Sequence, residues 1–434
     1  MSEWIDMRTC LSTHFYMMCR ESRKPVIASR MRRARHKQFT NLCLKNMGIH
    51  YNILLEVCTA RGLRNQVDDW RQNMKYYIPT KVYQEIDAVK VHAEELTGYG
   101  SCALIVTGKY SARANGALAD VEAALDAYGK SHVQYDGIEE NPSVETVMKA
   151  TEFGKRNSVD FVIAIGGGSP MDAAKAIAIM LANPEKNADY LYESAAHTKA
   201  LPVVTIPTTC GTGSEVTGVA VLTVHAKRTK ASLPHRVFPV LALADPKYLK
   251  TASKKVIGQT AIDALGHMIE SYLNTTATDY SRMFVDQGLK VWARSKDALL
   301  GIREMTDEDY SNFLLASTLA GMAIAQTGTT IPHSLSYAIT YELGVPHGIA
   351  IGYFLPGYIR EADEADQEYL LSTIGFASVD EFADFFQVVS DCGILPEENI
   401  RQVVDIVAKN KAKLALCPYP LDKEVLLRIA SWGK

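Results

Sequence analysis

Short apolar runs alternate with helical patterns along residues 74–247 of the chain. Cys102–Thr107 and Asp160–Ile165 are short and largely apolar, as is typical of strands buried on both faces of a parallel sheet. The segments that follow such runs repeat apolar residues at helical spacing, so strands and helices are predicted to alternate. This alternation predicts a parallel sheet with helices on both of its faces.

Seven strands and three helices are predicted in this α/β part. The predicted strands are Tyr76–Thr80, Cys102–Thr107, Ser131–Tyr135, Asp160–Ile165, Pro202–Pro207, Ala220–Val224 and Val237–Ala244. The predicted helices are Leu118–Tyr128, Val144–Asn157 and a segment that follows Gly166–Ser169 and continues through Leu181.

Helical patterns dominate beyond residue 247, where strand patterns nearly disappear. They cover 256–273, 280–300, 309–326, 331–342, 379–389, 397–414 and 421–431. Leu335, Ile339 and Leu343 recur at four-residue spacing, which predicts that their helix lies inside a bundle. We therefore expect an α/β domain at 74–247 and an all-α domain at 248–434.

Residues 1–73 do not share these patterns. They carry 13 Lys and Arg residues against 6 Asp and Glu residues, with a basic run at Arg30–Lys37. Half of the cysteines lie here, namely Cys10, Cys19, Cys43 and Cys58. We expect an accessory or poorly ordered extension, or a segment upstream of a start at Met74, because charge runs are usually solvated. The alternatives are an arm that binds nucleic acid or a membrane surface, and an Arg-rich transit peptide.

The composition adds limits on the class of protein. A chain of 434 residues is long for one hydrophobic core, which favours two domains. It is 47% hydrophobic and 22% charged with net charge -3, as in soluble globular proteins. No apolar run approaches the roughly 18 residues that span a bilayer, and a secretory signal pattern is missing.

Eight cysteines without a CxxC pair predict reduced thiols and a cytoplasmic protein. Beyond residue 73 the chain is acidic, which argues against nucleic acid as a partner of its body.

Two glycine-containing loops are candidates for binding a nucleotide. The first, Gly166–Ser169, lies between a predicted strand and a helix, where backbone amides and a helix N-terminus favour an anion such as phosphate. The alternative is a tight turn in which Ser169 caps the helix. The second loop, Thr208–Thr217, can line a phosphate or ribose, or its hydroxyls can bond to their own backbone.

Four side chains of the helical half can bind a divalent metal. Asp263 and His267 are four residues apart, so they share one face of a predicted helix. His333 and His347 flank a mostly apolar helix, where buried imidazoles need partners. Ordinary hydrogen bonds, including a plain bond between Asp263 and His267, are the alternative. Together the four supply one oxygen and three nitrogens, which suits Fe(II) or Zn(II) and leaves room for a substrate oxygen. A phosphate site and a metal site then suggest a dinucleotide that faces a metal across a cleft.

With these motifs the sequence resembles the iron-containing (group III) alcohol dehydrogenases from about residue 74 to the end. The strings that carry the resemblance are GGGSPMDAAK (166–175), IPTTCGTGSEVT (206–217), IDALGHMIE (262–270) and IPHSLSYAITYELGVPHG (331–348). The resemblance implies a dehydroquinate synthase-like architecture with a nucleotide-binding α/β domain and a helical metal-binding domain. It also implies NAD(P)-linked interconversion of a small alcohol with an aldehyde or ketone, and it suggests a homodimer.

The resemblance also implies roles for single residues. The implied metal ligands are Asp263, His267, His333 and His347. The cofactor pyrophosphate is expected on Gly167, Gly168 and Ser169, beside Gly166. The nicotinamide side of the cofactor is expected to be lined by Asp172, Thr208, Thr209 and Thr212.

Two positions depart from the family pattern. Many members carry a second histidine four residues after the third ligand, where this chain has Tyr337. Its phenol, or water, is therefore expected to handle the proton. Members that prefer NAD often carry Asp after the first strand, where this chain has Gly108. Without that carboxylate a 2′-phosphate is not repelled, and Lys109 or Ser111 can contact it, so we expect NADP(H) rather than NAD(H).

Three alternatives to an alcohol dehydrogenase stay open. One is another enzyme of the superfamily, such as a glycerol dehydrogenase or a dehydroquinate synthase-like lyase. The lyase needs several basic residues near the metal, whereas Lys227, Arg228 and Lys230 are expected in a separate loop. A metal-free reductase of the maleylacetate type is disfavoured because all four ligand positions are filled. A non-enzymatic protein would bind nucleic acid or a membrane surface through residues 1–73.

Overall fold

The computed structural model describes residues 75–194 and 197–431. The predictions for residues 1–73 lie outside this range. Cys102, Cys210, Cys392 and Cys417 are free thiols, in line with the reduced state expected for this part of the chain.

Eight strands are present in the described residues. They are β1 (Lys81–Gln84), β2 (Cys102–Thr107), β3 (Ser131–Tyr135), β4 (Phe161–Gly166), β5 (Val203–Pro207), β6 (Val221–Val224), β7 (Thr229–Ser232) and β8 (Leu241–Ala244). Six of them form one sheet in the order β1-β8-β5-β4-β2-β3, and every pairing in it is parallel. Every residue of the central strands β4 and β5 is buried, as the uninterrupted apolar runs predict.

The first strand lies further along the chain than predicted. Residues 75–80 are irregular, and β1 begins only at Lys81. Pro79 lacks the N–H that a strand interior needs. The aromatic residues before it pack instead against side chains outside the sheet, since the Tyr76 ring lies 5.9 Å from Phe284 and the Tyr77 ring lies 5.5 Å from Phe238.

Only one of the two strands of a separate antiparallel hairpin is predicted from the sequence. The strand expected at Ala220–Val224 is present as β6, but it pairs with β7 rather than with the main sheet. β7 has the sequence Thr-Lys-Ala-Ser, which shows no apolar run. The strand predicted to begin at Val237 begins at Leu241.

Six helices connect the strands of the parallel sheet. They are α1 (Ala88–Val91), α2 (Ala93–Thr97), α3 (Ser111–Ala114), α4 (Ala117–Ala127), α5 (Val144–Arg156) and α6 (Gly168–Ala182). α5 and α6 cover one face of the sheet, where they meet Leu104 and Val162 in one apolar cluster. α1, α2, α3 and α4 cover the other face with Ile105 and Ile163. Neighbouring strand residues thus point to opposite sides, as expected for a sheet with two covered faces.

Twelve helices make up the described chain after β8. They are α7 (Lys254–Tyr272), α8 (Asp279–Ala293), α9 (Lys296–Leu300), α10 (Asp307–Thr327), α11 (Ile331–Leu343), α12 (His347–Gly352), α13 (Leu355–Arg360), α14 (Glu364–Ile374), α15 (Val379–Ser390), α16 (Glu397–Val407), α17 (Lys411–Leu414) and α18 (Lys423–Ala430). The predicted architecture, an α/β part followed by a helical part, is confirmed. The domain boundary near residue 247 stays a prediction.

The helical predictions needed three corrections. The segments 280–300 and 397–414 each form two helices, α8 with α9 and α16 with α17. α12, α13 and α14 are absent from the predictions. α12 and α13 are short and buried almost all round, so their sequences show no amphipathic period. Leu335 and Ile339 are buried as predicted, but Leu343, the last residue of α11, is 37% exposed.

α7 is the central helix of this part, and every residue from Ala261 to Ser271 is buried. The Trp292 ring of α8 donates a hydrogen bond to the Ala261 carbonyl over 2.8 Å. Among the described residues no single helix is long and apolar enough to cross a membrane. α10 and α11 meet that length and composition test only as a pair bent by 108°.

Candidate functional site

The carboxyl ends of β2, β4 and β5 lie side by side at one edge of the sheet. Gly166, the last residue of β4, is opposite Pro207 of β5, and the preceding Ile165 is opposite Thr107 of β2. The loops that follow these strands therefore leave the sheet together. Open α/β sheets bind their ligands in the crevice outside the carboxyl ends of the strands.

The two glycine-containing loops pack directly on each other. A β-carbon on Gly167 would lie 2.9 Å from Thr209 Oγ1, and one on Gly168 would lie 2.7 Å from Thr212 Cγ2. Both distances are too short for any side chain larger than hydrogen. These glycines thus allow the threonine loop to approach α6 closely, and the structure brings four predicted cofactor residues together.

Gly166 and Thr208 join the same two loops through the backbone. The Thr208 N–H donates to the Gly166 carbonyl over 2.9 Å. A β-carbon on Gly166 would lie 2.6 Å from Pro170 Cγ, so the turn into α6 requires glycine here.

Ser169 does not cap α6, so the capping role considered for it is wrong. The residue that precedes the helix is Gly167, and Ser169 lies in its first turn. The Ser169 hydroxyl accepts a hydrogen bond from the Asn141 N–H over 3.1 Å. The first N–H groups of α6 therefore receive no bond from a capping side chain, as suits a helix terminus that binds an anion.

Asp172 ties α6 to the threonine loop. Its Oδ1 accepts from the Ser214 hydroxyl over 2.6 Å, and its Oδ2 accepts from the Val221 N–H over 2.9 Å. Burial raises the pKa of Asp172, against the charge of Lys175 at 3.7 Å. The position of Asp172 beside the nicotinamide stays a prediction.

Gly108, Lys109 and Ser111 follow β2 at the same sheet edge. Lys109 and Ser111 are exposed. A β-carbon on Gly108 would meet only the Ile138 carbonyl, at an ordinary contact distance of 3.5 Å. Glycine is therefore not required by the fold at this position, and its surroundings leave room for a ligand.

Three helices bring the four predicted metal ligands together. Asp263 and His267 lie on α7, His333 lies in the first turn of α11, and His347 is the first residue of α12. One ligand atom each of Asp263, His333 and His347 lies within 4.8 Å of the others. The His267 Nε2 is 2.9 Å from the His333 Nε2 and 3.9 Å from Asp263 Oδ1.

The donor set fits a metal better than it fits hydrogen bonds. The expected alternative, a plain bond between Asp263 and His267, is not formed at 3.9 Å, and Asp263 Oδ1 is a buried oxygen without a hydrogen-bond partner. Burial lowers the pKa of His267, which favours a neutral ring with a free lone pair. A divalent cation among these atoms would give the carboxylate oxygen and the ring nitrogens a common partner.

Each histidine has a different partner on its Nδ1. His267 Nδ1 lies 3.2 Å from the Gly211 carbonyl of the threonine loop. His333 Nδ1 lies 2.5 Å from Glu270 Oε1. His347 Nδ1 lies 3.3 Å from Lys230 Nζ. For His267 and His333 the partner is an acceptor, so Nδ1 carries the proton and Nε2 is left to bind a metal.

Gly348 lets α12 approach α7. A β-carbon there would lie 2.0 Å from the Gln259 carbonyl and 3.2 Å from Asp263 Cβ. Glycine after His347 is therefore required for His347 to approach the other three predicted ligands.

Lys230 contradicts the expectation that the basic residues lie in a separate loop. It lies on β7, is 8% exposed and points into the site, where its Nζ is 3.1 Å from Asn141 Oδ1. Burial lowers the pKa of Lys230 to about 8, against the charges of Asp263 and other acidic groups. Arg228 instead pairs with Glu342 over 2.7 Å, and Lys227 lies over the Tyr192 ring, so one of the three reaches the site.

Tyr337 lies one turn after His333 on α11 and faces the site. Its ring centroid is 6.1 Å from that of His347, and Lys230 Nζ is 5.3 Å from its centre. Burial raises the pKa of Tyr337, so its phenol keeps its proton at neutral pH. The Tyr337 ring thus lies beside one of the predicted metal ligands.

Two residues of the site were missed from the sequence, Glu270 and Lys230. Glu270 is the last residue of the motif that contains Asp263 and His267, three residues after a ligand on the same helix face. That spacing was a signal that could have identified it. Lys230 gave no local signal, because only the hairpin brings it to His347.

Comparison with known proteins agrees with this geometry. The sequence profile of the iron-containing alcohol dehydrogenases matches residues 79–246, and that of the C-terminal part of the Fe-containing alcohol dehydrogenase family matches residues 257–427. The long-chain primary alcohol dehydrogenase AdhA of Thermoanaerobacter ethanolicus is 33% identical over 260 residues, which cover 59% of this chain and 65% of that protein.

Two further relatives extend the match. The NADPH-dependent butanol dehydrogenase of Clostridium saccharobutylicum is 28% identical over 349 residues, or 79% of this chain and 85% of that protein. The crystal structure of an iron-containing alcohol dehydrogenase from Thermotoga maritima is 35% identical and has a TM-score of 0.75, with 82% of this chain and 98% of that chain covered. Since the family profiles match both the α/β part and the helical part, this chain belongs to the iron-containing alcohol dehydrogenases and has the dehydroquinate synthase-like architecture expected from its sequence.

Proposed function

We propose that this protein is a metal-dependent oxidoreductase that transfers a hydride between a nicotinamide dinucleotide and a small alcohol, aldehyde or ketone. The observation that supports it most directly is the cluster of His333 and His347 with Asp263, whose Oδ1 is buried without a hydrogen-bond partner and has the His267 Nε2 3.9 Å away. This cluster is one hydrogen bond away from the threonine loop, through His267 and Gly211. Membership of the family supports the same class of reaction.

Asp263, His267, His333 and His347 are the proposed metal ligands. A divalent ion would supply a Lewis acid for the substrate oxygen, and Fe(II) is proposed over Zn(II) from the family, since the ligand set suits both. The chain itself shields three of these side chains from solvent, since Asp263, His267 and His333 are 3–4% exposed. It also fixes two rings through acceptors on their Nδ1 atoms.

The proposed dinucleotide site is the carboxyl edge of the sheet. A nicotinamide cofactor would supply the hydride acceptor or donor. Gly167, Gly168 and Ser169 lie at the N-terminus of α6, where free N–H groups and the helix dipole attract a pyrophosphate. Thr209 and Thr212 contact this terminus, and Gly211 of the same loop reaches His267. This supports the proposal that Thr208, Thr209, Thr212 and Asp172 line the nicotinamide end.

NADP(H) is the proposed form of the cofactor. Gly108 carries no carboxylate that would repel a 2′-phosphate, and the exposed Lys109 and Ser111 lie next to it. The relatives include both an NADPH-dependent butanol dehydrogenase from Clostridium saccharobutylicum and an NADH-dependent butanol dehydrogenase from Clostridium acetobutylicum, so the proposal rests on the residues that follow β2. NAD(H) is the alternative.

Tyr337 is the proposed proton-handling residue of the site. It stands four residues after His333, where many family members have histidine. Its ring is stacked near His347 and covered by Lys230. A protonated phenol at this position can donate a hydrogen bond to the oxygen of a carbonyl substrate.

Metal analysis of the purified protein, combined with an NADPH and NADH oxidation screen over small aldehydes and ketones, tests this function. We expect about one metal ion per chain at the four-ligand site and consumption of NADPH with at least one substrate. A protein that retains no Fe(II) or Zn(II) and oxidises neither cofactor would contradict the proposal. The homodimer and the cytoplasmic location stay predictions from the sequence.

A further inference from the structure

Glu270 is a fully buried carboxylate that receives four hydrogen bonds from α11 and the residue before it. Its Oε1 accepts from the His333 Nδ1–H over 2.5 Å and from the His333 backbone N–H over 3.2 Å. Its Oε2 accepts from the Thr330 backbone N–H and from the Thr330 hydroxyl over 3.0 Å. Its relative exposure is 0%. A buried carboxylate is costly unless donors surround it, and these four donors meet that need.

Part of this arrangement stabilises the start of α11. Thr330 precedes the helix, but its side chain makes no capping bond. Glu270 takes that place, because it accepts the first backbone N–H groups and puts a negative charge at a helix N-terminus. A purely structural role of Glu270 would need only these helix-capping bonds.

The bond to the His333 ring goes beyond helix capping. Because Nδ1 donates to Glu270, the lone pair of the ring lies on Nε2, which faces His267 and Asp263. The backbone bond to the same residue fixes the helix turn that carries the ring. Glu270 therefore determines both the tautomer of His333 and the direction in which its free nitrogen points.

The three histidines differ in the charge of their partners. His267 has a neutral carbonyl, from Gly211, and His347 has the amine of Lys230. Of these three histidines, His333 is the one whose Nδ1 is bonded to a carboxylate. A negative partner makes a ligating imidazole more basic, so His333 is the histidine best prepared to hold a cation.

Residues closer to the C-terminus contact Thr330, the second donor residue of Glu270. The Thr330 hydroxyl lies 3.0 Å from the Tyr358 hydroxyl of α13, and that hydroxyl lies 3.4 Å from Cys417 Sγ. Tyr358 is fully buried. Tyr358 thus holds Thr330, which in turn donates to the Glu270 carboxylate beside His333.

We propose that Glu270 is a positioning residue of the metal site, which orients His333 and makes it the strongest of the three histidine ligands. The proposal rests on the proposed function, since it requires that a metal binds at Asp263, His267, His333 and His347. It predicts that loss of the carboxylate weakens metal binding even when all four ligands are present.

The test is metal affinity of the metal-stripped full chain, measured by titration with Co(II) and Zn(II). Glu270→Gln keeps the size of the side chain and an acceptor for His333, but it removes the charge and places an amide N–H₂ against the Thr330 donors. We expect its dissociation constants to rise on the order of 10- to 100-fold. The visible absorption of bound Co(II) is expected to change as well, because His333 becomes a weaker ligand without the negative charge on its Nδ1 partner.

Asp309→Asn is the matched control. Asp309 is also a buried carboxylate at a helix N-terminus, and it accepts from the Thr306 N–H and hydroxyl at the start of α10. Its loss is expected to lower thermal stability while the metal affinity and the Co(II) spectrum stay those of the wild type.

The outcomes separate this inference from the proposed function. If the wild type binds no metal, the function and the inference both fail. If the wild type binds metal and Glu270→Gln binds it equally well with the same Co(II) spectrum, the inference alone is overturned. Where Glu270→Gln does not fold, Glu270→Asp keeps the charge at the helix terminus but withdraws it from Nδ1. Weaker metal binding by that variant supports the inference, and wild-type affinity overturns it.

Discussion

The Gly211 carbonyl and the His267 Nδ1 lie 3.2 Å apart, so the threonine loop of the proposed cofactor site directly orients one of the proposed metal ligands. Gly211 is also pressed against α7, since a β-carbon there would lie 2.8 Å from the Thr260 carbonyl. The nearby Cys210 Sγ is 3.2 Å from the Thr260 hydroxyl. The threonine loop and α7, which carries two of the proposed metal ligands, are thus closely packed around Gly211.

Gly211→Ala is therefore expected to weaken both metal binding and dinucleotide binding. The added methyl pushes the loop away from α7, so His267 loses its acceptor and the threonines move. We expect roughly tenfold weaker metal binding, as for other lost partners of a ligating histidine, together with a higher KM for the dinucleotide. Gly393→Ala is the control, because its β-carbon meets nothing within 4 Å. Equal metal affinity and KM in the two variants would show that the contact is not needed.

His267→Ala tests the metal centre itself. It removes one of the four proposed ligands, so we expect metal content and turnover to be lost together. His132→Ala is the control, since His132 lies on β3 and 3.8 Å from Asp126, away from the metal ligands. Metal content is measured on the purified proteins, and turnover by NADPH oxidation. Full activity of a metal-free His267→Ala variant would exclude the assignment.

The sequence predicted those features that depend on residue identity and local period. Apolar runs located β2, β4 and β5 almost to the residue, because strands buried on both faces need continuous apolar sequence. The four proposed metal ligands were predicted because histidines are few beyond residue 250 and Asp263 is one helical turn from His267.

The features that were missed depend on tertiary contacts. Lys230 and His347 are 117 residues apart, and β7 has no pattern that marks Lys230 as buried. Glu270 and His333 are 63 residues apart, and a glutamate on a helix is more often solvated. α12 was hidden for the opposite reason, since a helix buried all round has no polar face to reveal its period.

The cofactor preference can be tested at the end of β2. We expect the wild type to have the higher kcat/KM with NADPH. Lys109→Ala is expected to lower kcat/KM for NADPH roughly tenfold, as for one lost charged hydrogen bond, and to leave NADH unaffected. Gly108→Asp is sterically allowed, because a β-carbon would meet only the Ile138 carbonyl at 3.5 Å, and it is expected to favour NADH. An NADH-preferring wild type, or a Gly108→Asp variant with unchanged preference, would contradict this assignment.

Lys175 of the glycine motif is predicted to stabilise the fold. It is fully buried, and its Nζ donates to the Ser214 carbonyl over 2.8 Å and to the Val219 carbonyl over 2.9 Å. Lys175→Met would leave the buried Asp172 without its cation, which is expected to cost about 3–5 kcal/mol of unfolding free energy. Lys155→Met removes the partly exposed pair with Glu152 and is expected to cost about 0–1 kcal/mol. Denaturant unfolding of both variants measures the difference, and equal losses would refute the prediction.

Tyr337→Phe separates proton handling from metal binding. The phenyl ring preserves the packing on His347 and Lys230 but removes the hydroxyl. We expect kcat for aldehyde reduction to fall at least roughly tenfold, while the metal content and the KM for NADPH stay close to those of the wild type. Tyr341→Phe is the control, since Tyr341 lies one turn further along α11, where its ring is 6.3 Å from that of His225. An unchanged kcat in Tyr337→Phe would show that water, rather than the phenol, delivers the proton.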